Sequence, residues 1–218
     1  MTGADRSVLP SPPPAAGALF ADRLPVACQY AELLATDGVE RGILGPREVP
    51  RLWTRHLLNC GVVAELVDNA SRAVDLGSGG GLPGIVVAIL RPDLEITLLE
   101  PLLRRSTFLV ECVERLQLDN VQVLRARAEE VVGDLLVDVV LARAVAPLAQ
   151  LAQWAVPLLA SNGELLALKG AHAEAEVAEA RRVLKSLGVV RTEILRVGET
   201  VVAPPTTVVK VRVGRRSR

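Results

Sequence analysis

The stretch that decides the fold is Asp75-Leu76-Gly77-Ser78-Gly79-Gly80-Gly81-Leu82-Pro83-Gly84. It begins inside a short strand, Ala73–Leu76, and leads into a helix, Gly84–Leu90. Strand, glycine-rich turn and helix in that order form the opening unit of a parallel α/β sheet. Glycines there permit positive φ and let backbone N–H groups come close to a ligand. Asp75 ends the strand two residues before the first glycine, where it can contact a cationic ligand. Gly79-x-Gly81-x-x-Gly84 also fits a dinucleotide fingerprint, but a pyrophosphate site keeps that approach free of carboxylates. No Gly-Lys-Ser/Thr follows, which excludes a P-loop nucleotidase.

The same rhythm continues downstream of this loop. Ile96–Leu99, Val121–Leu124, Leu136–Leu141 and Glu164–Leu168 read as strands. Leu103–Leu116, Leu148–Leu159 and His172–Leu187 read as helices, with a turn at Asn162-Gly163. Val189–Val197 and Thr207–Val213 close the chain as an antiparallel pair around Pro204-Pro205. Alternating strands and helices predict an α/β, doubly wound, mostly parallel sheet of Rossmann-like type over residues 71–213. Upstream, residues 19–70 carry apolar residues at helical spacing and predict a helical N-terminal layer. Within it, Glu48–Asn59 places Val49, Leu52, Trp53, His56 and Leu57 on neighbouring faces. Trp53 and Trp154 both read as core residues. Residues 1–18, rich in Pro, Ala, Ser and Gly, are expected to be disordered, and residues 214–218 to form a basic tail.

Of 218 residues, 50% are hydrophobic and 23% charged, the composition of a folded domain and not of a disordered chain. The formal net charge is +0, so global basicity gives no argument for nucleic acid. Yet only Lys169, Lys185 and Lys210 among the 25 basic residues are lysine. Arginine suits phosphates and base edges, although GC-rich codon usage enriches it too. Aromatics at 2% argue against a surface that stacks single-stranded bases. Cys28, Cys60 and Cys112 form no CxxC pair and read as free thiols of a cytoplasmic protein. With only His56 and His172 to join them, no metal site is expected. No apolar run approaches the roughly 18 residues of a membrane helix, and no secretion signal is expected.

The order Asp75-x-Gly77-x-Gly79-x-Gly81 resembles the S-adenosylmethionine loop of class I methyltransferases. Glu100 closes the second strand, a position that suits a carboxylate gripping both ribose hydroxyls. Ala128-Glu129 lie just past the third strand, where an adenine edge falls in such a site. After the fourth strand stands Leu141-Ala142-Arg143-Ala144-Val145-Ala146, without Asp/Asn-Pro-Pro-Tyr/Phe and without Pro-Cys. Amine methylation by the first motif and attack at pyrimidine C5 through a cysteine adduct are therefore disfavoured. Arg143 can hold the methionine carboxylate or a nucleic-acid phosphate.

Gly81-Leu82-Pro83-Gly84-Ile85 at the end of the loop narrows the resemblance, together with Arg55-His56-Leu57-Leu58, Ala142–Ala146 and Leu166-Ala167-Leu168-Lys169-Gly170. In this combination the chain resembles the small-subunit (16S) ribosomal RNA guanine-N7 methyltransferases, the glucose-inhibited division protein B family. The resemblance implies S-adenosylmethionine contacts at Gly77, Leu82, Ala128, Glu129 and Arg143, and small-subunit ribosomal RNA or the assembling subunit as partner. Two departures fall in the helical layer. Asn59-Cys60 stands where the family has Asp-Ser, and Gly42-Ile43-Leu44 where it has Asn-Leu-Thr.

Guanine N7 offers an unprotonated lone pair, so methyl transfer to it needs alignment and no general base. That agrees with the lack of an obvious His/Asp pair. Arg143 and Lys169, at strand ends, and Arg55 and His56, in the helical layer, are candidates for RNA contact or positioning around the reacting atoms. Other readings are a class I methyltransferase acting on a protein or small molecule, a nicotinamide-dependent oxidoreductase, which cofactor competition would separate, and a non-catalytic ribosome-assembly protein, which an intact loop argues against.

Overall fold

The computed structural model describes residues 9–67 and 72–215. Seven strands form one sheet in the order β3-β2-β1-β4-β5-β7-β6. They are β1 (Arg72–Leu76), β2 (Glu95–Leu99), β3 (Val121–Leu124), β4 (Val137–Arg143), β5 (Leu159–Lys169), β6 (Val189–Val197) and β7 (Thr206–Val213). The first five run parallel, while β7 lies antiparallel to both β5 and β6. The strand order reverses between β1 and β4, and ligands of such sheets bind outside the carboxyl ends of the strands at that point.

Residues 73–76 of β1 are all buried, as expected of a strand covered on both faces. One face packs against α4 (Gly84–Leu90), α5 (Leu103–Leu116) and the helical N-terminal segment, and the other against α6 (Leu148–Ala155) and α7 (Ala173–Ser186). In α5, Ser106, Leu109, Cys112 and Leu116 recur at helical spacing and face inward, as does Phe108. Among the described residues no helix is long and apolar enough to cross a membrane.

The expected strands and helices occur, with two informative shifts. β4 runs on to Arg143, so this arginine is the last residue of a strand and its backbone is fixed by the pairing of Arg143 with Leu168. The turn expected at Asn162-Gly163 lies inside β5 as a bulge. Val137 pairs with Leu159 but Val139 with Glu164, and Asn162 takes φ 63°. At Gly163 a Cβ would stand 3.0 Å from the carbonyl oxygens of both Ala160 and Asp138, so the close backbone approach requires glycine.

The N-terminal expectation needs correction. Pro14–Phe20 is a helix, α1, and not part of a disordered segment to residue 18. Proline at a first helical position costs no hydrogen bond, because that N–H has no partner within the helix. Composition therefore did not preclude a helix here. Ala16 and Phe20 are buried, and the Phe20 ring meets Trp53 edge-on with centroids 6.4 Å apart. Trp53 Nε1 donates to the carbonyl of Pro10 at 3.0 Å. Residues 1–8, and residues 216–218 of the expected tail, lie outside the described residues.

After α1 come α2 (Leu24–Leu33), a π-helical turn at Leu34–Gly38, and a 3-10 stretch at Pro46–Arg51. A second π-helical stretch, Leu52–Leu58, then passes through the single α turn α3 (Asn59–Gly61). Truncating Phe20 removes the ring that ties α1 to Trp53. Phe20→Ala is expected to cost about 3 kcal/mol, read as a lower midpoint in urea unfolding. An unchanged midpoint would mean that α1 is not docked.

Candidate active site

The glycine loop is stitched to the ends of β1 and β2. Leu99 O accepts from Gly77 N at 2.9 Å and Ser78 N at 3.2 Å, and Gly77 turns the chain with φ 70°. Ser78 Oγ donates to Asp75 O at 2.8 Å. The Asp75 carboxylate lies beneath the loop, 1% exposed, with Oδ2 accepting from Gly84 N at 2.9 Å. Its Oδ1 has no partner among the described residues. Burial pushes this carboxyl up to about 7, against the opposing pull of the Gly84 N–H. Gly84 has no room for a side chain, since a Cβ would sit 2.4 Å from Leu98 and 2.7 Å from Asp75 Oδ2.

Glu100, expected to grip the ribose hydroxyls, is also buried. Its Oε2 accepts from Gly79 N at 2.9 Å and its Oε1 from Leu102 N at 3.0 Å. From the helical layer, Tyr30 in α2 donates its hydroxyl to Gly80 O at 2.7 Å. The loop is thus held by two carboxylates and a phenol, none of which faces solvent.

Two cavities open on this edge. One, of about 180 Å³, is lined by Leu76, Gly77, Leu99, Pro101, Ala126–Glu129, Val145 and Trp154. Trp154, expected in the core, stands at its wall and is only partly buried. The other, of about 770 Å³, is lined by Arg143 to Pro147, Lys169, Gly170, Arg55, Asn59, Glu176 and Glu179 among others. Val145 borders both, and its side chain lies 3.1 Å from where a Cβ on Gly77 would be. The structure therefore gathers Gly77, Ala128 and Glu129 around the smaller cavity and puts Arg143 in the larger. Asp75, Gly79, Leu82, Glu100 and His56 line neither.

Lys169 is not free for a phosphate. Its Nζ donates to Ala146 O at 2.8 Å and to Glu176 Oε2 at 2.7 Å, and Glu176 Oε2 also accepts from Leu148 N at 2.8 Å. This lysine fixes the β4–α6 loop behind Arg143, where the chain turns through Ala144 at φ 55°. His56 is 5% exposed and contacts Arg143 instead of the opening. Burial first, and then the neighbouring arginine charge, hold its pKa below the usual histidine value. Arg143 Nη1 also donates to Cys60 Sγ at 3.0 Å.

A third cavity, of about 670 Å³, continues past Lys169 and Gly170. It is lined by Arg51, Arg55, Asn59, Arg196 and the Val201–Thr207 segment. Sequence reading missed the roles of Tyr30, Glu48, Cys60, Arg51 and Arg196. Tyr30 and Cys60 meet Gly80 and Arg143 far along the chain, and no local motif marks the other three.

Residues 23–202 match the GidB family, rRNA small subunit methyltransferase G. The chain belongs to this family. It is 61% identical over 202 residues to the ribosomal RNA small subunit methyltransferase G of Thermobifida fusca, covering 93% of this chain and 85% of that one. It is 59% identical over 207 residues to the Streptomyces coelicolor protein of the same name, covering 94% and 87%. Among solved structures the fold is similar to a SAM-dependent O-methyltransferase from Thermotoga maritima, with TM-score 0.58, 16% identity and coverage of 73% and 66%. It is equally close to TYW2 of M. jannaschii in complex with AdoMet, with TM-score 0.59, 16% identity and coverage of 76% and 78%. The fold is that of the class I S-adenosylmethionine-dependent methyltransferases.

The family departure at Asn59-Cys60 falls beside Arg143. Cys60 keeps an acceptor for the guanidinium, and Asn59 lines the large cavity.

The raised Asp75 carboxyl predicts a pH signature in the cofactor-free protein. A folded-state value of about 7 against an ordinary 3.8 means that its stabilising contribution is full below pH ~4 and lost as the pH rises through ~7. Asp75→Asn keeps an acceptor for Gly84 N without the charge. The stability of wild type relative to this variant is expected to fall between pH 4 and 7 and to level off above. Urea midpoints that run parallel across this range would refute a buried, raised carboxyl.

Proposed function

We propose that this S-adenosylmethionine-dependent, small-subunit ribosomal RNA methyltransferase acts on N7 of a guanine, and that the reaction takes place beside Val145, where the two cavities meet. The observation that carries this reading is that Val145, packed against Gly77, borders both a small apolar-walled cavity and a large arginine-lined one. The adenine end of the cofactor is assigned to the smaller side. Gly77 presents bare backbone, Leu99, Pro101, Ala126 and Trp154 offer apolar walls to a purine, and Ala128-Glu129 supply polar edges. The orphaned Asp75 Oδ1 just below the loop suits a site that receives a cation. When bound, S-adenosylmethionine supplies a methyl group on a positively charged sulfur.

The chain's own residues orient and exclude water. Glu100 spends one lone pair of each oxygen on a backbone N–H, which leaves one on each for a ribose hydroxyl. Arg143 takes the methionine carboxylate with its uncommitted N–H groups. No freed base is required on the acceptor side, since N7 attacks with a lone pair it already has. Glu176, the partly buried carboxylate there, is committed to Lys169 and Leu148 N. Catalysis then rests on proximity and alignment. The third cavity offers Arg51 and Arg196 together with Arg55, a surface suited to the phosphates of RNA flanking the target base. Such a substrate places the enzyme in the cytoplasm.

Labelled S-adenosylmethionine and small-subunit particles lacking endogenous methylation test the reading. A single N7-specific chain cleavage is expected with the wild type and none with Gly77→Asp, whose carboxylate meets Val145. The double substitution Arg51→Ala/Arg196→Ala is expected to raise KM for the particle about tenfold, lower its salt dependence and leave KM for the cofactor unchanged. Label on another atom of RNA, or on protein, would overturn the assignment.

A further inference from the structure

A chain of four side chains runs from the surface of the helical layer to the reaction edge. Glu48 Oε2 lies 2.8 Å from His56 Nε2, and His56 Nδ1 takes a hydrogen bond from Arg143 Nη2. Arg143 Nη1 rests on Cys60 Sγ at 3.0 Å. Glu48 Oε1 is held in turn by Arg55 Nη1 at 3.1 Å. The elements concerned are the 3-10 stretch before the π-helix, the π-helix itself, α3 and the end of β4. Residues 87 apart in sequence, Arg143 and His56, therefore meet only in the fold.

The chemistry of these groups fixes their protonation. Guanidinium nitrogen can only donate, so His56 Nδ1 must carry a lone pair. A neutral imidazole with Nδ1 bare carries its proton on Nε2, and Nε2–H can then only donate to Glu48. The reverse tautomer would aim an N–H at the arginine and leave Glu48 facing a lone pair. Burial of the imidazole beside a cation keeps it neutral. Two of the five guanidinium N–H groups are thereby spent on His56 and Cys60, and the planar fork can turn only by breaking one of those contacts.

We propose that Glu48 is a positioning residue that acts through His56: by accepting from Nε2–H it pins the imidazole whose Nδ1 receives Arg143, and so sets the plane in which Arg143 presents its remaining N–H groups at the reaction edge. Glu48 itself lines neither of the two cavities that meet at Val145. The inference rests on the reading that Arg143 holds the cofactor's carboxylate. Its direct readout, the hydrogen bond of His56 Nε2–H, does not.

The first test is nitrogen-15 detection of the imidazoles, which is tractable because the chain has only two histidines. Wild type should show His56 as the Nε2–H form with that proton hydrogen-bonded, and Glu48→Ala the same tautomer, held by Arg143, with the Nε2–H signal shifted upfield and its proton exchanging faster with solvent. Glu48→Gln, whose amide oxygen still accepts, should restore the wild-type signal. An unchanged signal in Glu48→Ala overturns the proposal.

The second test is steady-state methyl transfer. Glu48→Ala should raise KM for the cofactor about tenfold, with a smaller effect on KM for the RNA particle, and Glu48→Gln should recover most of the loss. In an Arg143→Lys background, where the fork is gone, Glu48→Ala should cost almost nothing more. A loss that multiplies in full on top of Arg143→Lys would show that Glu48 acts elsewhere. If instead Arg143→Lys leaves KM for the cofactor unchanged, the carboxylate reading fails, and the Nε2–H signal still decides the relay.

Discussion

A carboxylate sealed inside a protein must find a donor, and Asp75 finds Gly84 N–H. That bond closes the glycine loop from end to end. It ties the last turn of β1 to the first residue of α4, and it demands a glycine because Leu98 and the aspartate occupy the space of a side chain. With both ends of the loop fixed, Gly77 and Ser78 can hang from Leu99 O, and Gly79 can rest on Glu100. The position of every backbone N–H at the carboxyl edge follows from this one buried acid. The cost of burying it is visible in its raised pKa, and a bound cation is the natural compensation.

The helical N-terminal layer reaches the same edge at two points. Tyr30 holds Gly80 O from above the loop, and the Glu48–His56 pair meets Arg143 at the end of β4. Its residues share a single apolar core with α4, α5 and one face of the sheet. A layer that packs on one face of the sheet thus also orients groups on both sides of the topological switch between β1 and β4. This is a physical reason for the helices and the catalytic sheet to form one unit: polar contacts at the edge stay aligned only while the shared core holds.

Much of this was legible in the chain. Short runs such as Ala73-Val74 and Leu98-Leu99 are apolar because parallel strands are covered on both faces, and Asp75 with its spaced glycines marks the switch point. What escaped were pairings across long sequence distances. Lys169 reads as a free cation at a strand end, yet Glu176 and a carbonyl of the β4–α6 loop claim it. Glu100 reads as a ribose ligand, and the two backbone N–H groups it also receives leave no mark in the chain. Trp154 has the spacing of a core residue, but α6 sets it at the cavity wall. Proline-rich composition hid α1, whose docking depends on Trp53 from a segment more than thirty positions away. Local pattern reports which face a residue takes and is silent about which partner it meets.

A cradle held by Asp75, Glu100 and Tyr30 closes on the protein's own hydrogen bonds and needs no cofactor to form. A crystal structure with S-adenosylhomocysteine bound would test this. The adenosine is expected between Gly77 and Ala128-Glu129, with the Asp75–Gly84 and Tyr30–Gly80 hydrogen bonds retained. Adenosine bound away from that cavity, or a loop that has broken both bonds to admit it, would contradict it.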